Sequence, residues 1–167
     1  MEHSWDELDQ YRGAYFCGQW PSIIDMLLIT ESTFGHRPAF TVFTPERVTL
    51  TFTEVVDNVR RVGSALAEAG VERGDRVVIN GKNSPEWAIA YLATLWIGAV
   101  VVPLDNQMPC SRMESLSAFV EASYLFADKN IIEALDQTQA WYQRLKGCAT
   151  LLGASDDIAP IGGMAAK

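Results

Sequence analysis

Apolar and polar positions recur with a helical period between residues 50 and 70. Thr51 and Glu54 open this stretch at the spacing of a capping box, in which each side chain bonds the other residue's free backbone N–H. Gly70 closes it, as glycine often does after a helix. The apolar positions that recur at helical spacing are Phe52, Val55, Val56, Val59, Val62, Gly63 and Leu66. We predict an amphipathic helix packed on a sheet.

Farther along the chain, short apolar runs lack the period-two alternation of a half-buried strand. Such runs are typical of parallel strands that are covered on both faces. Segments with helical spacing separate the runs, which favours strand–helix–strand units. The predicted strands are 76–80, 99–104, 124–127 and 148–152, and the predicted helices are 85–97, one starting at Ser111, and 131–145. Ser111 and Glu114 repeat the capping-box spacing, so we predict a second capping box there.

The region before residue 51 follows a different pattern. Ser22 can cap a helix that ends near Gly35. The segments 39–44 and 47–51 are rich in Thr, Val and Phe and flank a proline turn, as in a β-hairpin. The predicted fold class is therefore α/β, with a mostly parallel sheet and helices on both of its faces, preceded by a helix and a β-hairpin.

The domain organisation follows from these boundaries. Proline disfavours helix in the residue before it, so Pro21 separates the leading residues from the first helix. We predict an N-terminal arm at 1–21, an α/β subdomain at 22–154 and a flexible tail at 155–167.

The longest uncharged run covers eighteen residues, from Trp87 to Leu104, which is long enough for a membrane-spanning helix. Gly98 and Pro103 interrupt it, and no Lys/Arg cluster marks a cytoplasmic side. The run divides naturally into a helix that ends near Gly98 and a buried strand. We therefore predict no transmembrane span.

Charge and cysteine content narrow the functional classes. Thirteen Lys plus Arg against 21 Asp plus Glu give a net charge of −8, which excludes the basic surface of a nucleic-acid binder. Cys17, Cys110 and Cys148 are far apart and form no Cys-x-x-Cys pair, so we predict neither a disulfide framework nor a zinc module. The first nine residues carry four acids and no Lys or Arg, unlike a secretory signal. We expect a cytoplasmic protein.

Parallel α/β sheets bind ligands at the carboxyl ends of their strands, where this chain has several polar residues. Asn80-Gly81-Lys82-Asn83 can hold an anion. Alternatively, Asn83 and Ser84 cap the following helix and Lys82 lies in solvent, and capping explains these residue types better. Asp105 can face a ligand or form a turn, and the turn is the stronger interpretation. Arg112, in the first turn of a helix, can meet an acidic ligand or be an ordinary surface residue.

Signatures of catalysis and cofactor binding are scarce. His3 and His36 leave few bases for a nucleophile. The stretch 153–157 starts like a nucleophile elbow but lacks its second glycine, and 162–167 shares only glycine and lysine with a phosphate loop. We therefore assign no catalytic, cofactor-binding or metal-binding residue. The aromatic residues interpreted as core rather than as a cofactor box are Trp87, Tyr91 and Trp96.

Four short segments form an ordered set of motifs over most of Ile23 to Asp128. They are Leu50-Thr51-Phe52-Thr53-Glu54-Val55, Gly70-Val71-Glu72-Arg73-Gly74-Asp75-Arg76-Val77, Asn83-Ser84-Pro85-Glu86-Trp87-Ala88-Ile89-Ala90 and Gly98-Ala99-Val100-Val101-Val102-Pro103-Leu104-Asp105. The set resembles the N-terminal portion of the adenylate-forming (AMP-binding) enzyme superfamily. The third segment is similar to the acyl-CoA synthetase branch, which includes the long-chain fatty-acid–CoA ligases.

This resemblance implies a two-step ligase reaction. A carboxylic acid, here a fatty acid, attacks ATP to give an acyl-adenylate and pyrophosphate, and coenzyme A then displaces AMP to form a thioester. ATP, magnesium and coenzyme A are the cofactors implied for the full-length enzyme. The resemblance to the acyl-CoA synthetase branch favours fatty acids, although amino-acid-adenylating domains share the other motifs.

The chain departs from the family pattern in the residues that bind ATP and carry out the reaction. The family's phosphate loop, ribose-binding Asp and catalytic lysine come later in the chain, and no such stretch appears among these 167 residues. Phe52 replaces the usual Tyr, Asn106 stands where proline is frequent, and Arg112 does not take over the role of the coenzyme A-binding arginines. We expect an N-terminal subdomain that is not catalytically competent alone and whose partner is the remainder of a synthetase.

Two alternatives remain. The chain can be a non-catalytic interaction or regulatory module that keeps the fold without the chemistry and self-associates through an uncovered apolar face. It can also be an unrelated nucleotide-binding domain of the flavodoxin type.

Overall fold

The fold was determined as a computed structural model, which describes residues 21–43 and 46–151. The predicted arm at 1–21, apart from Pro21, and the tail at 155–167 lie outside the described residues, so the domain division stays a prediction. The helices and strands are α1 Ile23–Phe34, β1 Pro38–Val42, β2 Val48–Thr51, α2 Phe52–Glu68, β3 Arg76–Asn80, α3 Pro85–Trp96, β4 Val100–Leu104, α4 Cys110–Phe119, β5 Tyr124–Ala127, α5 Lys129–Ala134, α6 Ala140–Gln143 and β6 Gly147–Thr150.

Within the described residues the main sheet has four strands in the order β4-β3-β5-β6, and every neighbouring pair is parallel. Val78 of β3 lies opposite Val102 of β4 and Leu125 of β5. Strands β1 and β2 form a separate antiparallel hairpin ahead of this sheet. The predicted fold class and the leading helix and hairpin are thus confirmed.

Helices cover the two faces of the sheet and create two apolar cores. Val77 and Ile79 of β3 belong to a first core, which also holds buried apolar residues of α2 and α3 such as Val59 and Ile89. Val78, between them, points to the other face and belongs to a second core with residues of α4 and α6. Because successive side chains of a strand alternate between faces, a strand with both faces covered has a nearly continuous apolar run, here Val77-Val78-Ile79.

The first two helices begin as their sequences indicate. The Ser22 hydroxyl accepts a hydrogen bond from Asp25 N–H at 3.1 Å, and the Asp25 carboxylate accepts one from Ser22 N–H at 3.0 Å. Thr51 and Glu54 make the same reciprocal pair at the start of α2. The hydrogen bonds from the Thr51 N–H and hydroxyl hold the pKa of Glu54 below its ordinary value. The predicted capping box of α2 is therefore confirmed.

The long uncharged run forms a helix and a strand. It divides at Gly98, whose φ of 75° lies in the left-handed region that favours glycine. The chain turns at Gly98, and this turn separates α3 from β4, as predicted. Among the helices in the described part of the chain, none has the length and apolar character needed to cross a bilayer.

Strand β4 is one edge of the sheet and contains a proline. The Val100 N–H donates to the Asp75 carbonyl at 2.8 Å, so Val100 and every second residue after it direct their backbone groups to β3. Pro103 has the opposite parity, and its nitrogen therefore points away from β3. Proline removes no hydrogen bond of the ladder at this position, which is why an edge strand tolerates it.

The start of α4 differs from the prediction. Ser111 and Glu114 have capping-box spacing, but the helix begins at Cys110, follows Pro109 and has no side-chain cap. The Glu114 carboxylate instead accepts hydrogen bonds from Asp136 N–H at 3.0 Å and the Gln139 side-chain amide at 3.1 Å. The predicted capping box is wrong because these tertiary partners take up the carboxylate.

The predicted helix at 131–145 is also wrong, since the chain forms two short helices, α5 and α6. Leu135 is extended, with ψ of 142°, and its side chain is buried in the second core. The Asp136 carboxylate accepts hydrogen bonds from the N–H and the hydroxyl of Thr138, at 3.0 and 2.6 Å, which stabilises a turn. The break brings Leu135, Trp141 and Tyr142 into one core.

A charged cluster at the amino ends of the strands connects the segments that lead into β3, β5 and β6. The Lys146 ammonium, just before β6, lies 2.6 Å from one carboxylate oxygen of Asp75, just before β3. The same ammonium donates to the Gly70 carbonyl at 2.7 Å. The other Asp75 oxygen accepts a hydrogen bond from the Ser123 hydroxyl, just before β5, at 3.1 Å. Asp75 thus connects the entries to β3, β5 and β6.

Candidate functional site

The candidate site lies at the carboxyl ends of the parallel strands, where the chain changes direction across the sheet. From β3 the chain passes to β4 on one side, whereas from β5 it passes to β6 on the other side. Open α/β sheets bind ligands in the crevice at such a switch point. The loops after β3 and β5 border this crevice, and the loop after β4 lies next to them.

A buried asparagine joins the ends of β3 and β4. Asn80 is 2% exposed, and its side-chain amide donates to the Asp105 carbonyl at 2.8 Å. Asn80 and Asp105, for which a ligand contact was one of two interpretations, are thus brought together, but they bond each other.

An aspartate joins the ends of β3 and β5. The Asp128 N–H donates to the Asn80 carbonyl at 3.2 Å, and the Asp128 carboxylate accepts from the Lys82 N–H at 3.1 Å. Gly81 lies so close that an added Cβ would sit 2.8 Å from the other carboxylate oxygen. Only glycine fits there without displacing the carboxylate. Sequence reasoning missed Asp128 as a site residue, although an acid directly after a buried strand is a usable signal.

The carboxylate of Asp105 forms a turn, which confirms the turn interpretation. One oxygen accepts a hydrogen bond from the Gln107 N–H at 2.8 Å, two residues ahead. This is the local side chain-to-backbone bond that aspartate makes in turns. The Asp105 carbonyl also accepts from the Met108 N–H at 3.0 Å.

The remaining polar candidates take local or surface roles. The Ser84 hydroxyl accepts from the Trp87 N–H at 3.2 Å and caps α3, so the cap is Ser84 rather than Asn83. The side chains of Lys82 and Arg112 are exposed at the same edge of the sheet. These two cations stay candidates for contact with an anion.

The aromatic residues of α3 pack against the first core, as predicted. The rings of Trp87 and Tyr91 stack with centroids 5.5 Å apart. Trp96 lies under the guanidinium of Arg60, 5.7 Å from the ring centroid. The aromatic side chains therefore stabilise α3 and its contact with α2.

The described residues do not fit an ATP–magnesium site. In residues 21–43 and 46–151, no group of three or more His, Cys, Asp and Glu side chains is placed to hold a metal ion. The polar groups of Asn80, Asp105 and Asp128 satisfy one another or nearby backbone. We assign none of these residues a contact with ATP, magnesium or coenzyme A. The stretches 153–157 and 162–167 lie outside the described residues.

Removing the Asn80 amide is expected to destabilise this edge of the sheet. Asn80→Ala removes one of the two donors of the Asp105 carbonyl and leaves only the Met108 N–H, so we expect the free energy of unfolding to fall by about 0.5–1.5 kcal/mol. Urea unfolding followed by circular dichroism measures the change. Asn83→Ala, three residues away at an exposed position, is the matched control and should leave the midpoint nearly unchanged. Equal midpoints for the two variants would rule out a structural role for the Asn80 bond.

Sequence comparison finds known proteins that are similar to this chain. Residues 30–159 match the model of a family described as AMP-binding enzyme. The chain is 34% identical over 108 residues to the L-proline--[L-prolyl-carrier protein] ligase of Streptomyces coelicolor, covering 65% of this chain and 20% of that protein. It is 32% identical over 109 residues to long chain acyl-CoA synthetase 1 of Arabidopsis thaliana, covering 65% of this chain and 16% of that protein. The matched part thus spans a fifth or less of these relatives.

Solved structures share the fold. The chain superposes on the anthranilate CoA ligase AuaEII in complex with anthranoyl-AMP with a TM-score of 0.71 at 20% identity, covering 81% of this chain and 26% of that chain. For the Mycobacterium tuberculosis fatty acyl CoA synthetase the TM-score is 0.69 at 19% identity, covering 77% and 26%. In both alignments the similarity covers about a quarter of the longer chain.

Proposed function

The chain belongs to the AMP-binding enzyme family, and from that premise we propose that it forms the N-terminal part of an ATP-dependent ligase. Such a ligase converts a carboxylic acid to an acyl-adenylate and then to a thioester. The observation that carries the proposal is the family match over residues 30–159, together with a parallel sheet ordered β4-β3-β5-β6.

The described residues act as a scaffold in this proposal. Two cores fix the sheet, and Asn80 and Asp128 hold the loops at its carboxyl edge in place. A rigid edge of this kind positions groups that other parts of a ligase contribute. Because the described polar side chains at this edge bond one another, the reaction itself needs residues from elsewhere.

Pyrophosphate exchange tests whether the 167-residue chain is active alone. With ATP, magnesium and decanoate, we expect no exchange above background, since the described residues provide no metal site. Long chain acyl-CoA synthetase 1 of Arabidopsis thaliana is the positive control under the same conditions. Exchange that depends on both the chain and the acid would contradict the scaffold role.

We further propose that the acid is a fatty acid and that this part of the chain supplies one wall of the acyl site. The support is the segment Asn83-Ser84-Pro85-Glu86-Trp87, which resembles the acyl-CoA synthetase branch, and the similarity to the Arabidopsis thaliana synthetase. The similarity to a proline ligase supports an amino acid instead. Calorimetric titration with decanoate and with proline separates the two: we expect binding of decanoate alone, and binding of proline alone would overturn the proposal.

A second candidate function is a non-catalytic interaction module. The observation in its favour is the exposure of two large apolar side chains, Phe119 at 84% and Val100 at 47%. Register places Val100 opposite Arg76, whose side chain bonds the carbonyl of Val120 at the end of α4, so both apolar residues lie on the α4 side of the sheet. Sedimentation at several concentrations distinguishes the functions, because a discrete dimer would favour the module over the scaffold.

We also propose a cytoplasmic location. Cys110 and Cys148 are free thiols in the structure. Free thiols persist where glutathione and thioredoxin keep the compartment reducing. Fractionation of cells that express the chain with a small tag tests this, and recovery in a secreted fraction would contradict it.

A further inference from the structure

Helix α1 is apolar around its circumference and lies at the surface. Seven of its twelve residues are Ile, Leu, Met or Phe, yet in the described part of the chain none of the twelve is fully buried. Its inner side packs against the first core through Leu27. On its outer side Ile23 is 53% exposed and Met26 is 55% exposed. We call this outer side, Ile23 and Met26 with the neighbouring Asp25, the α1 outer face.

A surface helix normally has a polar side towards water, and a helix that is apolar all round is covered on more than one side. The α1 outer face breaks the first pattern, since its two large apolar side chains are separated only by Ile24 and the acidic Asp25. Burying both would remove apolar surface from water at about 25 cal/mol per Å². Something is therefore expected to cover this face.

Neither a lipid surface nor a second copy of the chain is well suited to bury the α1 outer face. Interfacial helices carry Lys and Arg beside their apolar face, whereas α1 has Asp25 and Glu31 and no basic residue. A second copy would bring another net charge of −8, including another Asp25, against this acidic face. The segment that buries the α1 outer face therefore needs apolar side chains and no additional negative charge.

We propose that residues 10–20 of this chain cover the α1 outer face. This stretch contains no Asp or Glu, and its aromatic residues are Tyr11, Tyr15, Phe16 and Trp20. It also contains Arg12, which complements the exposed Asp25 in charge. The acids of the leading segment all precede it, within the first nine residues.

The connection and the length suit this arrangement. The stretch joins α1 through Pro21, which occupies the position before the Ser22 cap. A residue there packs against the fourth helical residue in a hydrophobic staple, and the fourth residue of α1 is Met26 on the outer face. Eleven extended residues reach about 36 Å. The twelve-residue helix is about 18 Å long, so the stretch can run back along all of α1.

Hydrogen exchange on the full chain tests the proposal. The variant Tyr15→Ser/Phe16→Ser/Trp20→Ser removes three aromatic side chains outside the described fold. We expect amide exchange in Ile23–Phe34 to become on the order of tenfold faster, because local opening no longer has to break contacts with the covering stretch. Exchange in β3 and β5 should not change, which also shows that the variant is folded.

The matched control is Gln10→Ser/Ala14→Ser/Gln19→Ser, with three substitutions in the same stretch that spare its aromatic residues. Its α1 exchange should stay within about twofold of the wild-type rate. Equal α1 rates in the aromatic variant and the wild-type chain would overturn the proposal. Protection of α1 that rises with protein concentration would identify a second copy as the cover and would overturn it equally. Since the readout is exchange, the outcome is independent of the proposed ligase function.

Discussion

Phe126→Ala is expected to lower the free energy of unfolding by about 3–5 kcal/mol. Phe126 is 1% exposed and lies in β5, between Ile79 of β3 and Ala149 of β6. Its ring contacts that of Tyr124, with centroids 5.1 Å apart. Alanine leaves a cavity where strands on both sides hold the backbone in place, so the core cannot collapse to fill it. Urea unfolding followed by circular dichroism measures the loss.

The chain offers a matched control for this substitution. Phe119→Ala removes the same atoms from a side chain that is 84% exposed, so we expect a change within about 0.5 kcal/mol. Comparison of the two variants separates loss of core packing from loss of a phenyl ring in general. A large loss at Phe119 would show that its ring is buried in solution, and a small loss at Phe126 would contradict the first core.

Asp75→Ala is the second substitution with a large expected effect, about 2–3 kcal/mol at pH 7. The Asp75 side chain is only 18% exposed and receives hydrogen bonds from Glu72 N–H, Lys146 and Ser123. Removing the carboxylate leaves the partly buried Lys146 ammonium without its counter-ion. The substitution also removes the hydrogen bonds that connect the segments before β3, β5 and β6. Urea unfolding at pH 7 measures the loss.

The same carboxylate predicts a pH dependence. Burial raises the pKa of Asp75, but the hydrogen bonds from Glu72 N–H, Lys146 and Ser123 outweigh burial and hold the pKa below its ordinary value. A group whose pKa is lowered on folding stabilises the protein above its unfolded pKa, about 3.9. That stabilisation is lost as the pH falls from there through the folded pKa. The difference between the wild-type chain and Asp75→Ala should therefore be full at pH 7 and shrink below about pH 4.

Asp57→Ala is the control for Asp75. Asp57 also pairs with a cation, Arg60, at 3.4 Å, but the two side chains are 57% and 50% exposed. Exposed pairs of this kind contribute about 0–1 kcal/mol. Equal losses for the two aspartates, or a difference at Asp75 that persists unchanged at pH 3, would contradict the assigned role of the cluster.

The parts of the fold that the sequence predicts are those that short-range physics determines. Thr51 and Glu54 form their capping box because both partners lie within one helical turn. Strands β3 and β5 have their predicted bounds, 76–80 and 124–127, because both faces of each are covered and polar residues end each run.

The errors arise where a distant partner changes the local preference. Glu114 has capping-box spacing, but the N–H of Asp136, 22 residues away, takes its carboxylate. The residues 131–145 have the composition of one helix, yet burial of Leu135 and the Asp136 turn split it. The Glu114 bond and the burial of Leu135 leave no sign in the nearby sequence, because each depends on how α4 and α6 pack. The bonds between Asp136 and Thr138 are local, so Asp136 itself was a usable turn signal.

The sequence predicts where the polar loop residues lie but not how they are bonded. Asn80 and Asp105 follow predicted parallel strands, and the structure has both at the carboxyl edge of the sheet. The sequence could not show that these two residues bond each other, since 25 residues separate them. It also could not show that Asp128 lies beside Lys82, because strand order is decided by packing rather than by the order of the strands along the chain.

The proline in β4 has a consequence for aggregation. A strand that adds to an open sheet edge needs a donor at every second backbone position. Along the outer side of β4 the donor positions are Val101 and Pro103, and Pro103 has no N–H to give. An incoming strand, including one from a misfolded copy, therefore finds half of the donors that it needs. Among the described strands the opposite edge is β6, Gly147–Thr150, which contains no proline, so we expect strand addition at β6 rather than at β4.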